Sequence, residues 1–142
     1  MIEGDRIESI PVGLKTRFSK TVSESDVYLF AGITGDFDRI HIDEEFARTT
    51  SVGARIAPGV LILGLMATAS TLALQSFRRV IVSLGYDRVR FVKPVFLGDT
   101  VEVSYEVIAV DHERERMTAN VEAKNQRGET VAVATHILKL MP

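Results

Sequence analysis

The feature that most constrains the fold is one uncharged segment, VLILGLMATASTLAL, at residues 60–74. As a helix this segment is apolar on every side, so it cannot lie on a surface with one face in water. Its first four residues would also suit a strand, but the later Met, Ala and Leu residues and the length favour a helix. It is shorter than the roughly 20 residues that a bilayer crossing needs. We therefore expect a buried helix that other parts of the structure wrap.

Downstream of this helix, apolar residues recur at every second position, which is the period of a half-buried strand. The alternation is clear at residues 101–107 and 117–123, and strands are also predicted within 80–92 and 131–140. Residues 14–20 alternate in the same way and predict a first strand. The connections after the helix are short and polar, so we expect antiparallel neighbours.

These elements predict an α+β fold in which an antiparallel sheet of about five strands wraps around the apolar helix. The 142 residues are enough to bury a core without disulfides. Because no internal repeat or low-complexity linker divides the sequence, residues 1–142 are predicted to form a single domain.

Composition narrows the possible functions. Cysteine is absent, which excludes a disulfide framework and a thiolate metal site. The 17 Lys and Arg against 19 Asp and Glu give a formal charge of -2, so no nucleic-acid or anionic-membrane partner is expected. The N-terminal sequence MIEGDRIESI lacks the apolar core of a secretory signal, and a cytoplasmic protein is expected. The expected partners are small molecules or a second copy of the chain.

Local signals place two short helices before the central one. Ser23 followed by Asp26 predicts a helix N-cap with a capping box. Asp43 is predicted to cap a second helix that ends near Thr49 or Thr50. Pro58 is expected in the first turn of the central helix, where its missing N–H has no intrahelical partner.

Three groups suited to proton transfer next to a carbonyl lie between residues 36 and 59. Asp36 follows a glycine in a turn, His41 comes five residues later, and Gly59 stands at the start of the central helix. A carboxylate and an imidazole in an apolar pocket can divide the proton transfers. A backbone N–H at a helix start can donate to a developing oxyanion. Taken alone, a turn aspartate and a hydrogen-bonded structural histidine remain the simpler interpretation.

Four motifs in register resemble the MaoC-like, or (R)-specific enoyl-CoA hydratase, family. They are Thr34-Gly35-Asp36, His41, Ile56-Ala57-Pro58-Gly59 and Phe91-x-x-Pro94-Val95-x-x-Gly98-Asp99. The resemblance runs from about Ser23 to the C-terminus. It implies a hot-dog fold, usually as a homodimer with two sheets side by side. It also implies a hydro-lyase that reversibly hydrates trans-2-enoyl-CoA to (R)-3-hydroxyacyl-CoA.

The resemblance further implies a role for each matching residue. Asp36 and His41 would form a catalytic dyad that holds the water, and Gly59 would be the oxyanion donor. An acyl or pantetheine tunnel would be lined by four consecutive residues, Phe91, Val92, Lys93 and Pro94. No metal or redox cofactor is implied, since coenzyme A is part of the substrate. Arg88, Arg90 and Lys93 are candidates to meet its phosphates, although a solvated strand face explains these charges equally well.

The sequence departs from the family pattern at three places. Asp38-Arg39 stands where Asn-Pro is common, and Pro58 stands where His is frequent. Asp38 adds a negative charge near the dyad unless Arg39 pairs with it. Some members place a hydrogen-bonding serine in the central helix, where an ungapped count gives Ala67 with Thr68 beside it.

Two alternative functions follow from the same fold. Acyl-CoA thioesterases and acyl-carrier dehydratases commonly carry an Asp or Glu on the central helix, and residues 60–74 contain neither. A non-catalytic thioester-binding module would lack the dyad or the oxyanion glycine. His112 and His136 are expected to be structural or solvated, and three scattered histidines without cysteine do not predict a metal site. The absence of a Gly-x-Ser-x-Gly motif disfavours a serine hydrolase.

Overall fold

In the computed structural model, which describes residues 2–142, one five-stranded antiparallel sheet curves around one long helix. Its strands are β1 (Lys15–Thr21), β2 (Ile81–Phe91), β3 (Thr100–Asp111), β4 (Arg116–Lys124) and β5 (Thr130–Leu140). They lie in the order β1-β3-β4-β5-β2, and each neighbouring pair is antiparallel. The predicted α+β architecture is therefore confirmed.

In the described residues, four helices accompany the sheet. They are α1 (Glu24–Thr34), α2 (Arg39–Ile42), α3 (Glu44–Arg48) and α4 (Gly59–Ala73), preceded by a 3₁₀ turn at Ile7–Ser9. Helix α4 is the predicted central helix. The single turn of α2 has no counterpart in the sequence prediction. Its N-cap is Asp38, whose carboxylate accepts the N–H of Ile40 at 3.2 Å. Within residues 2–142, no helix is long and apolar enough to cross a membrane.

The two predicted caps are confirmed. The hydroxyl oxygen of Ser23 accepts the Asp26 N–H at 3.1 Å, and the Asp26 carboxylate accepts the Ser23 N–H at 2.9 Å. This backbone hydrogen bond is the main cause of the lowered pKa of Asp26. Gly35, at φ 78, ends α1 in the left-handed conformation that glycine adopts at little cost. Asp43 caps α3 by accepting the N–H of Phe46 at 2.9 Å.

Helix α4 is only partly enclosed by its own chain. One face, which includes Ile62, Met66 and Ala69, is buried against the sheet. The opposite side leaves Val60 54% exposed, and Leu72 is also exposed. The predicted wrapping of α4 by the sheet is therefore confirmed for one face of the helix, and the described chain leaves part of the opposite face uncovered.

His136 is a polar group in the core, with 1% of its surface exposed. Its Nε2 lies 2.8 Å from the hydroxyl of Ser83 and its Nδ1 lies 3.1 Å from the hydroxyl of Tyr105. Burial lowers the pKa of His136 to about 4 from 6.5. Two roles were possible for this histidine, structural or solvated. Its burial and hydrogen bonds show that it is structural.

The lowered pKa of His136 predicts a loss of stability on acidification. The unfolded chain binds the imidazole proton near pH 6.5, whereas the folded chain binds it only near pH 4, so the stabilisation is complete above about 6.5 and is lost as the pH falls through this window. The expected loss is on the order of 3 kcal/mol. Urea unfolding at pH 7.5 and pH 4.5 measures it. The same loss in His136→Gln would contradict the assignment to this imidazole.

Candidate active site

The ring of His41 is held by the backbone. Its Nδ1 lies 2.6 Å from the carbonyl oxygen of Ile56. Because a carbonyl oxygen can only accept, Nδ1 carries the proton of the neutral imidazole and donates it. Nε2 is therefore the nitrogen with a free lone pair, and it is the atom of His41 that can take a proton from a bound molecule.

The backbone of Ile56 fixes the position of α2. Its N–H donates to the carbonyl of Ile40 at 3.2 Å, while its own carbonyl accepts from His41. Ile56 also forms an isolated antiparallel bridge with Phe96, and the next residue, Ala57, donates to Val95 at 2.8 Å. These bonds join α2 to the segment that follows β2. Backbone hydrogen bonds therefore fix the position of His41 relative to the sheet.

A cavity of about 340 Å³ lies beside His41 and the start of α4. Its lining contains five of the seven residues predicted to be catalytic or to bind substrate: His41, Gly59, Phe91, Lys93 and Pro94. The other lining residues are mostly apolar: Val52, Ile56, Ala57, Ile62, Val95, Val131 and Ala132. The structure therefore brings an imidazole, a helix start and three of the four predicted tunnel residues to one apolar cavity.

Two of the sequence-predicted residues do not line this cavity. Val92 is exposed just beyond the end of β2, and its N–H donates to the carbonyl of Val131 at 2.8 Å. Asp36 is exposed in the loop after α1, where its carboxylate accepts the N–H of Asp38 at 3.2 Å. Among residues 2–142, no hydrogen bond joins Asp36 to His41. The dyad consequently remains a prediction.

The charges of Asp38 and Arg39 are each engaged elsewhere. Asp38 caps α2, and Arg39 pairs with Asp43 at 3.0 Å while its guanidinium lies 4.2 Å from the centre of the Phe46 ring. Arg39 therefore does not pair with Asp38, which is the pairing that would have neutralised the charge of Asp38. The substituted pair builds the single helical turn that carries His41.

Gly59 is the first residue of α4, and Pro58 is the N-cap before it. Pro58 thus lies one position earlier than predicted, with extended backbone rather than in the first turn. Within the described chain, the Gly59 N–H has no hydrogen-bond acceptor. The Phe91 ring lies directly against this glycine, since a Cβ placed there would approach Phe91 Cδ2 to 2.5 Å. An uncommitted donor and an aromatic ring therefore share the cavity wall.

Lys93 is paired within the protein. It forms an ion pair with Glu129, which also accepts from Arg127 at 2.9 Å. The contact with Lys93 is the largest cause that lowers the pKa of Glu129, which falls to about 2. A phosphate of coenzyme A would therefore compete with Glu129 for Lys93, whereas Arg88 and Arg90 are exposed on β2.

Arg55 forms a cluster that sequence reasoning missed. Its guanidinium donates to Glu24 in α1 at 2.7 Å, to Glu44 in α3 at 2.5 Å and to the hydroxyl of Tyr28 at 2.6 Å. These contacts raise the pKa of Arg55, chiefly through Glu24, and lower that of Glu24. The cluster joins α1 and α3 to the residue that precedes Ile56, whose carbonyl orients His41.

Replacing Arg55 with methionine is expected to lower the turnover of this site by about tenfold or more, because small misplacements of a reacting group are costly. The variant leaves Glu24 and Glu44 without their shared cation and frees the segment that orients His41. Steady-state kinetics with a thermal melt measure the effect. Arg48→Met is the matched control, since Arg48 makes only exposed ion pairs with Glu44 and Glu45. Equal effects of the two variants would contradict a positioning role.

The described side chains do not form a group that could bind a metal ion. Throughout residues 2–142, no group of three His, Asp or Glu side chains is arranged to hold a metal ion.

Comparison with known proteins shows which proteins the chain resembles. Residues 8–130 match the model of the MaoC like domain family. The chain is 40% identical over 109 residues to a 3-hydroxybutyryl-CoA dehydratase of Methylorubrum extorquens, covering 77% of this chain and 68% of that protein. It is 31% identical over 133 residues to an (R)-specific enoyl-CoA hydratase of Aeromonas caviae, covering 94% and 97%.

A solved structure of an (R)-hydratase from Aeromonas caviae is also similar along almost its whole length. Its TM-score is 0.84 at 30% identity, and the match covers 94% of this chain and 99% of that one. Together with the sheet wrapped around α4, this similarity confirms the fold that the sequence motifs implied.

Proposed function

The chain belongs to the MaoC-like domain family, and from this premise we propose that it is a hydro-lyase that reversibly hydrates trans-2-enoyl-CoA to (R)-3-hydroxyacyl-CoA. One observation carries the proposal: the Nε2 lone pair of His41 and the uncommitted N–H of Gly59 belong to the same apolar cavity. The relatives named as a hydratase and a dehydratase act in the two directions of this reaction, which supports it.

The proposed reaction gives each of these groups a role. Water held by His41 and Asp36 loses a proton to the dyad as its oxygen forms a bond to C3, and the electrons of the C2–C3 double bond move to the thioester oxygen. The Gly59 N–H donates to that oxygen, where its position at the helix N-terminus favours negative charge. The enolate then collapses, and C2 takes a proton back from the dyad.

The geometry of His41 limits how the dyad divides this work. With Nδ1 committed to the Ile56 carbonyl, only Nε2 exchanges protons. In the proposal, Asp36 and His41 act as one coupled pair, which removes the proton from water and returns it to C2. Syn addition of the water is part of the proposal because the resemblance to (R)-specific enoyl-CoA hydratases implies it.

The proposal includes a homodimer. Strand β2 lies at an edge of the sheet and exposes Val82 and Leu84, while α1 exposes Leu29 and Ile33, the latter to 82%. An exposed apolar edge of this kind favours pairing with another chain. Sedimentation of the purified protein tests this element, and a monomer across the working concentration range would contradict it.

The test of the function follows the loss of enoyl-thioester absorbance with a series of trans-2-enoyl-CoAs, and chiral chromatography of the product gives its configuration. Turnover to the (R)-alcohol is expected. Release of free coenzyme A would instead indicate a thioesterase, which α4 disfavours because residues Gly59–Ala73 include no carboxylate. Saturable binding of acyl-CoA without any turnover would favour the non-catalytic binding module.

A further inference from the structure

Asp99 is a buried acidic residue that the proposed reaction does not use. It lies at the end of the connection between β2 and β3, directly before β3, and only 5% of its surface is exposed. Connections between strands usually run over the protein surface, and burial of a carboxylate is unfavourable unless donors surround it. The position of Asp99 inside the protein therefore needs an explanation.

In the described chain, two other segments donate to the Asp99 carboxylate. Its Oδ2 accepts the backbone N–H of Phe96 at 3.0 Å. Its Oδ1 accepts from the side-chain amide of Gln126 at 2.7 Å and from the guanidinium of Arg127 at 3.5 Å. Gln126 and Arg127 belong to the turn between β4 and β5, so the carboxylate joins this turn to the segment that follows β2.

The contact with Phe96 closes a turn over residues 96–99. The Asp99 N–H donates to the Phe96 carbonyl at 3.0 Å, and the Phe96 N–H donates to the Asp99 side chain, so both polar backbone groups of Phe96 bond Asp99. The turn is itself anchored, because Gly98 and Asp99 bond the backbone of Val22, just after β1, at 2.7 and 2.8 Å. Asp99 therefore fixes the backbone of Phe96 relative to the sheet.

Phe96 lies opposite Ile56, whose carbonyl accepts from the His41 ring. The two residues form an isolated antiparallel bridge, and the hydrogen bond beside it runs from the Ala57 N–H to the Val95 carbonyl at 2.8 Å. Ile56 and Phe96 are therefore the non-hydrogen-bonded pair of this short ladder. In such a pair the polar groups of each residue point away from the opposite strand.

The outward groups of this pair bond two different parts of the structure. Those of Ile56 bond α2: its N–H donates to Ile40, and its carbonyl accepts from Nδ1 of His41. Those of Phe96 bond Asp99 on the other side. A continuous series of contacts therefore runs from Asp99 through Phe96 and Ile56 to the ring of His41.

The orientation of His41 depends on the position of Ile56. The distance from Nδ1 to the Ile56 carbonyl oxygen is 2.6 Å, and a hydrogen bond of this kind is lost beyond about 3.5 Å. Ile56 can therefore orient the ring only while its own segment is held to within about 1 Å. Residues 95 and 96 support Ile56 on the side away from α2, and Asp99 fixes that support.

We propose that Asp99 is a positioning residue for His41, which acts through Phe96 and Ile56 to keep Nδ1 protonated and Nε2 free. Asp99 does not line the cavity at His41, so it takes no part in the proton transfers. The expected effect on turnover rests on the proposed hydratase function, whereas the effect on the imidazole does not.

Nuclear magnetic resonance of protein with isotope-labelled histidine tests the effect on the ring, and His41→Asn identifies the His41 signals. The wild type should show the neutral tautomer with the proton on Nδ1. Asp99→Ala removes the acceptor of the Phe96 N–H, so mixed tautomers or loss of the Nδ1–H signal are expected. Asp99→Asn keeps one oxygen for that N–H and should retain the wild-type signal, although it loses the charge that faces Arg127 and should melt at a lower temperature.

Kinetics give the corresponding effect on hydration. Asp99→Ala should lower kcat by about tenfold or more and leave KM within about twofold, and Asp99→Asn should restore most of the turnover. In the His41→Asn background, Asp99→Ala should lower the residual turnover no further, because residues that act through one group are not additive. An equal loss in both backgrounds would overturn a role through His41.

Asp111→Ala is the matched control. Asp111 also accepts a backbone N–H three residues away, that of Arg114 at 3.0 Å, and pairs with the Arg114 guanidinium at 3.1 Å. It lies at the turn between β3 and β4 and does not line the cavity. This variant should keep both the His41 signal and kcat. The same change of tautomer in Asp111→Ala would show a general loosening of the fold and overturn the assignment to Asp99.

A second variant keeps the test decisive if Asp99→Ala does not fold. The hydroxyl of Asp99→Ser ends one bond short of the carboxylate and leaves the Phe96 N–H without its acceptor, so the same change at His41 is expected. An Asp99-dependent tautomer without any hydration by the wild type would overturn the hydratase function alone. Hydration with an unchanged tautomer and unchanged kcat in a folded Asp99 variant of either kind would overturn the positioning role alone.

Discussion

Replacement of His41 with asparagine is expected to lower kcat/KM for enoyl-CoA hydration by about 10²- to 10⁴-fold, which is the range for loss of a general acid or base. Asparagine is chosen because its amide N–H lies near the position of Nδ1 and can still donate to the Ile56 carbonyl, which His41 contacts at 2.6 Å. The variant lacks an equivalent of Nε2. The His41→Asn variant should therefore keep the melting temperature of the wild type and lose most of its turnover.

The same substitution tests the structural alternative for His41. If this histidine only holds Ile56 in place, the asparagine variant should keep most of its activity. His41→Gln provides the complement, since its longer amide reaches toward Nε2 and loses the bond to Ile56. Activity in His41→Asn together with inactivity in His41→Gln would assign His41 a positioning role and remove it from the proton transfers.

Asp36→Asn extends the test to the second member of the proposed dyad. The asparagine oxygen can still accept the Asp38 N–H, which Asp36 accepts at 3.2 Å, so the loop should keep its shape. The proposal expects a loss comparable to that of His41→Asn and a double variant no worse than either single one, because groups that act as a unit are not additive. Independent, additive losses would contradict a coupled pair.

The parts of the fold that were predicted from sequence depend on interactions between near neighbours. The capping box of Ser23 and Asp26 spans three residues, as does the cap that Asp43 gives to Phe46. Alternation in β3 and β4 likewise shows in the sequence, because one face of each strand is buried. The strand order was beyond such reasoning, since the adjacent positions of β1 and β3 pair residues far apart in the chain.

The parts of the site that the sequence missed depend on distant contacts or on very short elements. Arg55 reaches Glu24, which is 31 residues away, and Glu44, which is 11 residues away, and neither spacing marks a pair on one helix or strand. Helix α2 is four residues long, too short for a hydrophobic period to appear. Its cap at Asp38 was instead interpreted as a departure from the family pattern.

The tunnel residues illustrate a limit of motif reasoning. Phe91, Val92, Lys93 and Pro94 were predicted together from one motif, yet Val92 is exposed and outside the cavity that the other three line. Alternation along an extended chain accounts for Phe91 and Lys93 lining the cavity while Val92 does not. It does not account for Pro94, which follows a bend at Lys93 and also lines the cavity. Gly85 carried a usable signal, since an isolated glycine in a strand indicates a bulge. It would have drawn attention to the shift in pairing between Ser83 and Gly85.

Replacement of Gly59 with alanine is expected to lower kcat by about 10²- to 10³-fold, the range for loss of one oxyanion donor. The added Cβ would lie 2.5 Å from Cδ2 of Phe91, which is too close for any real contact. Either the Phe91 ring moves into the cavity or the first turn of α4 shifts. In both cases the thioester oxygen loses its approach to the Gly59 N–H, although the N–H itself is still present.

Two further variants decide the cause of this loss. Gly64→Ala adds the same methyl group to the same helix in open space, so it should retain activity and gain up to about 1 kcal/mol of helix stability. Gly59→Ala combined with Phe91→Ala removes the ring that the methyl group meets. If the Phe91 clash is the whole cause, the pair should regain most of the stability and turnover relative to Phe91→Ala alone. If the pair regains stability but stays inactive, the thioester itself must pass where the methyl group stands, which is the close approach that an oxyanion donor at Gly59 requires. Full activity of Gly59→Ala alone would remove Gly59 from the mechanism.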